Sequence, residues 1–403
     1  MARHYTTRDF FRQIPNLLLA RYFHERDLFR NLDFAEMKET KPERLFAEWL
    51  EMPDDARNAM DSEFREVFAM SCEKGFRAIL DEAEWHLAGK PDELAAFTEK
   101  LATLDDHSER AMVTFLDHRE FWKGATLFYR ADSLSYWRKR KGFPKVEARV
   151  HEDGRTALAD SIRTYFHRME GRGNNCVVET FRRGELDYFF AYPEDYSQRS
   201  LEWVSGEFEQ RRHTPAFEVI YVYSQKEGTL DLNFRGNPKA VEPLQGIFAV
   251  STLGLPELPA DPDDASVYDL NPLRTRGFQF LYEPGSGIER VAVRRMRLSS
   301  RIRHGDRIIL EADTSKRDEA LYDLLEDAGK SVPVNLYNVT QVEIAATVKM
   351  AIDKPAKQYT FRITYPNSCS LKYDDVELRL REMLVLSGIE PKEPPKTLRS
   401  VEW

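Results

Sequence analysis

Hydrophobic positions in the first third of the chain recur at helical spacing. Between residues 56 and 87 the apolar side chains keep a period close to 3.6 residues, and stretches at 92–103 and 107–130 continue the pattern. Alternating apolar and polar residues, which are typical of strands, are nearly absent here. Residues 1–140 are therefore predicted to form a helical domain.

The period shortens towards two residues in the next segment, 146–254. Apolar runs at 176–192 and 217–234 are each interrupted by turn residues, so two β-hairpins are predicted. Runs such as Val-Ile-Tyr-Val-Tyr are apolar on both faces, as expected for strands that are covered on both sides. Helical patterns at 155–169 and 239–251 would supply that cover. We expect a mixed domain with two hairpins.

An acidic, proline-rich segment follows at 255–273. It holds four prolines and five carboxylates and no basic residue, a composition typical of linkers. This segment is predicted to join two domains.

The last 130 residues have the clearest strand pattern. Apolar and polar residues alternate at 342–350 and again at 359–365, and helical patterns at 316–329 and 373–387 flank them. For 274–403 we predict the order β-β-β-α-β-β-α, a mostly antiparallel sheet with helices on one face. The whole chain is predicted to be an α+β multidomain protein, with an all-α domain first.

Composition supports a folded protein in a reducing compartment. Of 403 residues, 42% are hydrophobic and 32% charged, which excludes wholesale disorder, and the net charge of −9 argues against general coating of nucleic acid. Cys72, Cys176 and Cys369 lie far apart, without zinc-site spacing or a disulfide framework. No apolar run suggests a signal peptide or a membrane span. We expect a cytoplasmic protein that does not enter membranes.

Motifs for nucleotide, metal or serine chemistry are missing from the sequence, and no motif assigns the chain to a family. It has no Walker A loop, no His-Glu-x-x-His and no Gly-x-Ser-x-Gly, so no cofactor and no metal are predicted. Asp187, Glu218 and Asp231 lie on consecutive predicted strands, an arrangement that metal-dependent nucleases use. No lysine follows two residues after Glu218, and the same carboxylates suit the solvated positions of a hairpin. Catalysis stays undecided, and a metal-dependent hydrolase is kept as an alternative function.

Six arginines with no carboxylate between them lie from Arg290 to Arg303. Strand alternation places four of them on one face and apolar residues on the other. These four are Arg295, Arg297, Arg301 and Arg303. A three-residue loop would set Ile302 against Ile308 and add Arg307 to the same polar face. Such a row of guanidinium groups matches the spacing of phosphates, since alternate strand residues lie about 6.6 Å apart.

A second basic segment covers 138–149. Its cations begin with Arg138, Lys139, Arg140 and Lys141. Gly142 and Pro144 mark the segment as a linker or loop. Tyr136 and Trp137 precede it, so stacking on bases is one interpretation and packing in a helical core is the other.

These features support a non-enzymatic hypothesis. The chain is predicted to be an accessory or interaction protein that engages nucleic acid, a nucleoprotein complex or an acidic protein partner through 138–149 and 290–307. Subunit membership in a larger complex is compatible with it, as is a pure protein-interaction scaffold. The competing interpretation is internal: the arginines pair with Glu311 and Asp313, or with the acidic segment 255–273.

Overall fold

The computed structural model describes residues 4–204, 206–260, 267–303, 305–350 and 355–391. The chain divides into two compact units. The first runs to Ser133 and includes Arg182–Gly184, and the second holds Leu134–Phe181 and the chain from Glu185 onward. The predicted α+β class is confirmed, since the first unit is helical and the second contains a large antiparallel sheet.

Eight helices form the described part of the first unit. They are α1 (Thr7–Gln13), α2 (Asn16–His24), α3 (Glu43–Leu50), α4 (Asp54–Met70), α5 (Glu73–His86), α6 (Pro91–Ala102), α7 (His107–Asp117) and α8 (Arg119–Ala131). The stretches predicted as single helices over 56–87 and 107–130 are each broken. Cys72 has an extended backbone and caps α5, because its thiol accepts a hydrogen bond from the amide of Gly75. His118 separates α7 from α8 through its non-helical ψ of 56°, without a side-chain cap.

Aromatic rings fill the core of the helical unit, and Phe64 on α4 lies at its centre. The Phe64 ring centroid lies 4.6 Å from that of Phe10 and 5.7 Å from that of Phe11. Tyr22 and Trp49 approach it at 5.0 and 5.4 Å. Tilted and edge-on contacts of this kind add to the free energy of burial, so one residue of α4 holds α1, α2 and α3 together.

Glu82 is a buried carboxyl group between α5 and α8. It is 0% exposed, and its Oε2 atom has no hydrogen-bond partner among the described residues. Its Oε1 atom lies 3.1 Å from Nε2 of His86. Burial, together with the neighbouring charge of Asp81, raises the pKa of Glu82 to about 8. Glu82 is therefore protonated in the folded protein at neutral pH.

The raised pKa predicts a pH-dependent loss of stability. The folded state binds the Glu82 proton more tightly than the unfolded state. The contribution of this proton to the free energy of unfolding is therefore complete below about pH 4.5 and declines as the pH rises to about 8. Glu82→Gln should raise the free energy of unfolding at pH 7 by up to about 3 kcal/mol and flatten this decline. Urea unfolding across pH 4–9 measures both, with the exposed Glu84→Gln as control. Lower stability of Glu82→Gln at pH 7, with an unchanged pH profile, would contradict the assignment.

The second unit contains a ten-stranded sheet and a separate two-stranded hairpin. The strands are β1 (Trp137–Arg140), β2 (Cys176–Arg183), β3 (Leu186–Pro193), β4 (Gln198–Val204), β5 (Glu207–His213), β6 (Val219–Ser224), β7 (Thr229–Phe234), β8 (Ile288–Ser300), β9 (Arg307–Glu311), β10 (Tyr337–Val348), β11 (Lys357–Thr364) and β12 (Ser368–Cys369). Their order in the large sheet is β2-β3-β6-β7-β1-β12-β11-β10-β8-β9, while β4 and β5 pair with each other. The helices are α9 (Glu152–Glu170), α10 (Val241–Ser251), α11 (Ala320–Gly329) and α12 (Asp375–Leu386).

Strand β1 joins the two halves of the sheet, although its residues were predicted to lie in a linker or loop. Arg138 is paired with Leu232 of β7 on one side and with Ser368 of β12 on the other. Strands from 146–254 and from 274–403 therefore share one hydrogen-bonded sheet. The separation of these stretches into independently folding domains stays a prediction.

The acidic segment is partly packed against the C-terminal half of the sheet. The amides of Val267 and Tyr268 donate to the carbonyl of Pro366, and Leu270 and Leu273 are buried in the core there. Residues 261–266, which hold most of its carboxylates, lie outside the described residues.

Within 274–403, two strands precede α11, whereas the sequence predicts three strands before the first helix of this segment. Residues 275–287 are all described and form no strand, and β8 instead runs for 13 residues. The strand is irregular, because its pairing with β10 shifts at three positions. Such bulges bend a strand and increase its twist.

The two cores of this unit lie on opposite faces of the sheet. Leu232 belongs to the core under α9 and α10, and its partner Arg138 shares that face. Trp137 points to the other face, where its partner Cys369 belongs to the core under α11 and α12. The C-terminal half of the sheet therefore keeps one face that none of these four helices covers.

Removal of the Trp137 side chain tests the central position of β1. Trp137 is 1% exposed and contacts the Tyr373 ring edge-on at 5.6 Å, whereas Tyr136 beside it is 60% exposed. Trp137→Ala should lower the free energy of unfolding by about 3–5 kcal/mol, and Tyr136→Ala by less than about 1 kcal/mol. Urea unfolding of both variants measures the difference. Equal, small losses would show that β1 does not anchor the sheet.

Candidate functional site

Arginines from four strands point to the same face of the sheet, which is uncovered at β8, β9 and β11, while Arg140 on β1 is only 8% exposed. We call the set formed by Arg138, Arg140, Arg295, Arg297, Arg307 and Arg362 the arginine face. One cross-strand row runs from Arg138 through Ser368, Thr364 and Gln341 to Arg297. Directly paired residues of antiparallel strands point to the same side. The two basic segments singled out in the sequence therefore lie on one surface.

The β8–β9 pairing differs from the predicted register. Leu298 is paired with Ile308, where the sequence suggested Ala312, so the connection is six residues long and not three. The parity is unchanged, and Arg295, Arg297 and Arg307 keep the polar face as predicted. Arg301 and Arg303 leave the strand and lie exposed in the connection. The cause is that the pattern fixes which face a residue takes but not how far the hairpin extends.

Carboxylates neutralise only part of the arginine face. Glu343 lies 3.0 Å from a guanidinium nitrogen of Arg362 and 3.3 Å from Nε of Arg294, which sits at a bulge of β8. Glu311 is 3.7 Å from Arg295. The Glu311 pairs are solvent-exposed and contribute little stability, and they account for part of the predicted internal pairing.

Arg297 has the most cationic surroundings of the face. Its Nε donates to the hydroxyl of Thr340, and no described carboxylate lies within ion-pair distance of its guanidinium group. Partial burial lowers the pKa of Arg297, and the charges of Arg307, Arg295 and Arg362 lower it further. Four cations therefore lie near one another, and although Glu311 and Glu343 pair with Arg295 and Arg362, no described carboxylate pairs with Arg297 itself.

A groove of about 560 Å³ lies beside Arg138 at the other end of the row. Arg138 and Arg140 line it together with Gln245, Pro259 and the exposed Glu242. Arg140 donates to the carbonyl of Pro259, which fixes its position. The Nε2 atom of Gln245 is buried and has no acceptor among the described residues. Guanidinium and amide donors together suit a phosphate oxygen.

Tyr136 and Arg362 lie close together at a shallow pocket on this face. The pocket has a volume of about 190 Å³ and is also lined by Ser135, Glu343 and Thr360. Tyr136 has a φ of 70°, in the left-handed region, and its ring is exposed. The sequence did not single out Arg362, because only the pairing of β10 with both β11 and β8 places it in one cross-strand row with Arg295, with Glu343 between them.

Lys139 and Lys141 do not join the arginine face. Lys139 is on the opposite face and donates to Glu390 at 2.9 Å, and Lys141 donates to the carbonyl of Pro391 and lies 3.5 Å from Glu390. Burial opposes the charge of Lys139, but Glu390 and Asp231 hold its pKa above the usual value. Burial likewise opposes ionisation of Glu390, but Lys139 holds the Glu390 pKa below its usual value. These lysines are structural, so we leave them out of the candidate interface.

The carboxylates considered for metal-dependent chemistry do not converge. Asp187 is paired with Tyr223, whereas Asp231 is paired with Val222, so the two side chains point to opposite faces. Glu218 precedes β6. Within the described ranges, no three histidine, cysteine or carboxylate side chains come together in a way that would hold a metal ion.

Membrane-spanning segments and similarity to known proteins were both sought. Among the described helices, none has the length and apolar character needed to cross a bilayer. Neither a protein-family model nor a curated protein sequence matches the chain.

The buried ion pair predicts a stability effect for Lys139 that an interface residue would not have. Lys139→Met removes the nearest cation from the buried Glu390 and leaves it Lys141 at 3.5 Å and the charge of Arg381, so the free energy of unfolding should fall by about 2–4 kcal/mol. Lys139→Met combined with Glu390→Leu should recover most of this loss, because an apolar pair replaces both charges. Urea unfolding measures each variant. A Lys139→Met protein as stable as wild type would contradict the structural role of Lys139 and would make it a candidate interface residue.

Proposed function

We propose that the protein binds nucleic acid along the arginine face, through contacts to the phosphate backbone. The observation that carries this proposal is the placement of Arg138 and Arg297 in one row on one face of the sheet. Phosphate contacts supply most of the affinity of proteins that bind nucleic acid without regard to sequence. Arginine suits this role because its guanidinium group donates to two oxygens at once.

The dimensions of the face suit a polyanion better than a small ion. Four strand-to-strand steps separate Arg138 from Arg297, about 19 Å at roughly 4.8 Å per step. This distance corresponds to about six phosphate steps of roughly 3.4 Å along one strand of a duplex. Along β8, Arg295 and Arg297 lie about 6.6 Å apart, or about two phosphate steps. The arginine face therefore presents cations both across the strands of the sheet and along β8.

Incomplete internal pairing supports an external anion. Glu311 and Glu343 neutralise Arg294, Arg295 and Arg362, but neither reaches Arg297. Clustered like charges are unfavourable, and a bound polyanion removes that repulsion. An acidic protein partner would have the same charge, so competition with polyglutamate is part of the test.

The proposal describes an accessory protein and not an enzyme. The alternative of a metal-dependent hydrolase has less support, because Asp187 and Asp231, the carboxylates considered for it, face apart. We place the activity in the cytoplasm, since all three cysteines are free thiols and suit a reducing compartment. Participation in a nucleoprotein complex is part of the same proposal.

Replacing both ends of the row should weaken binding and its salt dependence. For Arg138→Gln/Arg297→Gln, the slope of log affinity against log salt should fall by roughly 1.4–1.8, because two phosphate contacts are removed. Affinity at low salt should drop about tenfold or more. Fluorescence anisotropy with labelled single-stranded and duplex oligonucleotides gives both values.

A matched control removes two cations from the other side of the sheet. Arg317 and Lys330 flank α11, which packs on the opposite face, and both are exposed. Arg317→Gln/Lys330→Gln should keep the wild-type slope.

Equal effects of the two double variants would indicate general electrostatic attraction, not an interface. Full competition by polyglutamate would indicate an acidic protein partner. Tighter binding after neutralisation of Asp261, Asp263 and Asp264 would indicate internal competition.

A further inference from the structure

A two-stranded hairpin outside the main sheet carries exposed aromatic side chains. Strands β4 and β5 pair in full register, and Trp203 lies opposite Phe208 with ring centroids 5.6 Å apart. Trp203 is 75% exposed and Phe208 57% exposed. The sequence analysis did not predict this hairpin, because neither of its faces is buried.

The two faces of the hairpin differ in charge. One face, which we call the aromatic face, carries Arg199, Leu201, Trp203, Phe208, Gln210 and Arg212. It holds two cations and, among the described residues, no carboxylate. The other face carries Glu202, Glu207 and Glu209, with Arg211 3.9 Å from Glu202. Aromatic rings near the tip and a pair of opposed arginines nearer the base are complementary to a partner that carries both flat rings and negative charge.

The base of the hairpin is fixed to the second unit. Arg172 donates to Asp195 at 2.7 Å, and its guanidinium carbon lies 3.9 Å from the centroid of the Phe217 ring. The hydroxyl of Tyr196 donates to the carbonyl of Glu170, and Glu194 bridges to Ala216. These contacts hold both ends of the hairpin, so its aromatic face has a defined orientation.

We infer that the aromatic face binds single-stranded nucleic acid by stacking bases on Trp203 and Phe208. Arg199 and Arg212 lie directly opposite each other on the same face, four residues from Trp203 and Phe208 toward the base of the hairpin, in position to contact phosphates on that side of the stacked bases. Proteins that bind single strands without sequence preference combine these two elements, because every base has a flat face. The inference rests on the proposed function and extends it from backbone contacts to unpaired bases.

The carboxylates at the tip of the hairpin disfavour a lipid bilayer as the partner of the aromatic face. A bilayer would have to accept Glu207 and Glu209 together with Phe208, because they are adjacent on the same strand. A protein partner that buried this hairpin by apolar contact would not need aromatic rings as such. The substitution of both rings by leucine separates these cases, since leucine keeps the apolar character and removes the stacking surface.

The test compares an oligothymidylate with an abasic oligonucleotide of equal length. Wild type should bind the oligothymidylate more tightly, and Trp203→Leu/Phe208→Leu should lose that preference, a loss on the order of 100-fold for two stacked bases. Trp203→Tyr/Phe208→Tyr should keep it, because the rings remain. Both variants should fold normally, since the rings are exposed, and circular dichroism checks this.

Each alternative has its own result. Wild-type affinity of the leucine variant for the oligothymidylate would overturn the inference, and so would equal loss in the tyrosine variant. Retained binding of the leucine variant to phosphatidylserine vesicles, with no base preference in wild type, would identify a membrane arm instead. Failure of the proposed function is distinguishable, because salt-dependent binding of the abasic oligonucleotide would then be absent in wild type itself.

Discussion

The backbone pairing of β1 with β7 and β12 determines the architecture of the second unit. Four residues, Trp137–Arg140, connect strands that come from stretches more than a hundred residues apart in the chain. Side-chain alternation along this strand then assigns two different roles. Trp137 and Lys139 face the core under α12, while Arg138 and Arg140 face the side that carries the arginines of β8, β9 and β11. The candidate interface is thus a consequence of strand pairing.

The sequence predicted the polar face of β8 correctly, because Met296 and Leu298 alternate with Arg295 and Arg297 and burial fixes the parity. It also identified the helical unit, whose apolar spacing is strong. It failed at β1, because a short strand with several basic residues has no apolar alternation, and Lys139 is buried only through a distant partner, Glu390. Arg362 was missed for a related reason: no local pattern shows which strands become neighbours.

The same reasoning explains the aromatic hairpin. A pattern analysis recognises strands by the contrast between a buried and a solvated face, and β4 and β5 have two exposed faces. Their alternation of aromatic and acidic residues around Gly206 is visible afterwards, since Trp203 and Phe208 share a side. Exposed aromatic rings are costly to solubility, so their presence on an anchored hairpin indicates a partner and not a packing role.

The central claim is that one nucleic-acid strand contacts both Arg138 and Arg297, and the affinity of oligonucleotides of increasing length tests it most directly. Because the two arginines lie about 19 Å apart and a duplex rises roughly 3.4 Å per base pair, wild-type affinity for duplexes should rise steeply once they exceed about six base pairs. In Arg138→Gln this rise should disappear, since only one end of the row remains. A smooth increase of affinity with length that is the same in wild type and in Arg138→Gln would contradict a shared strand. It would indicate that Arg138 and Arg297 do not belong to one binding surface.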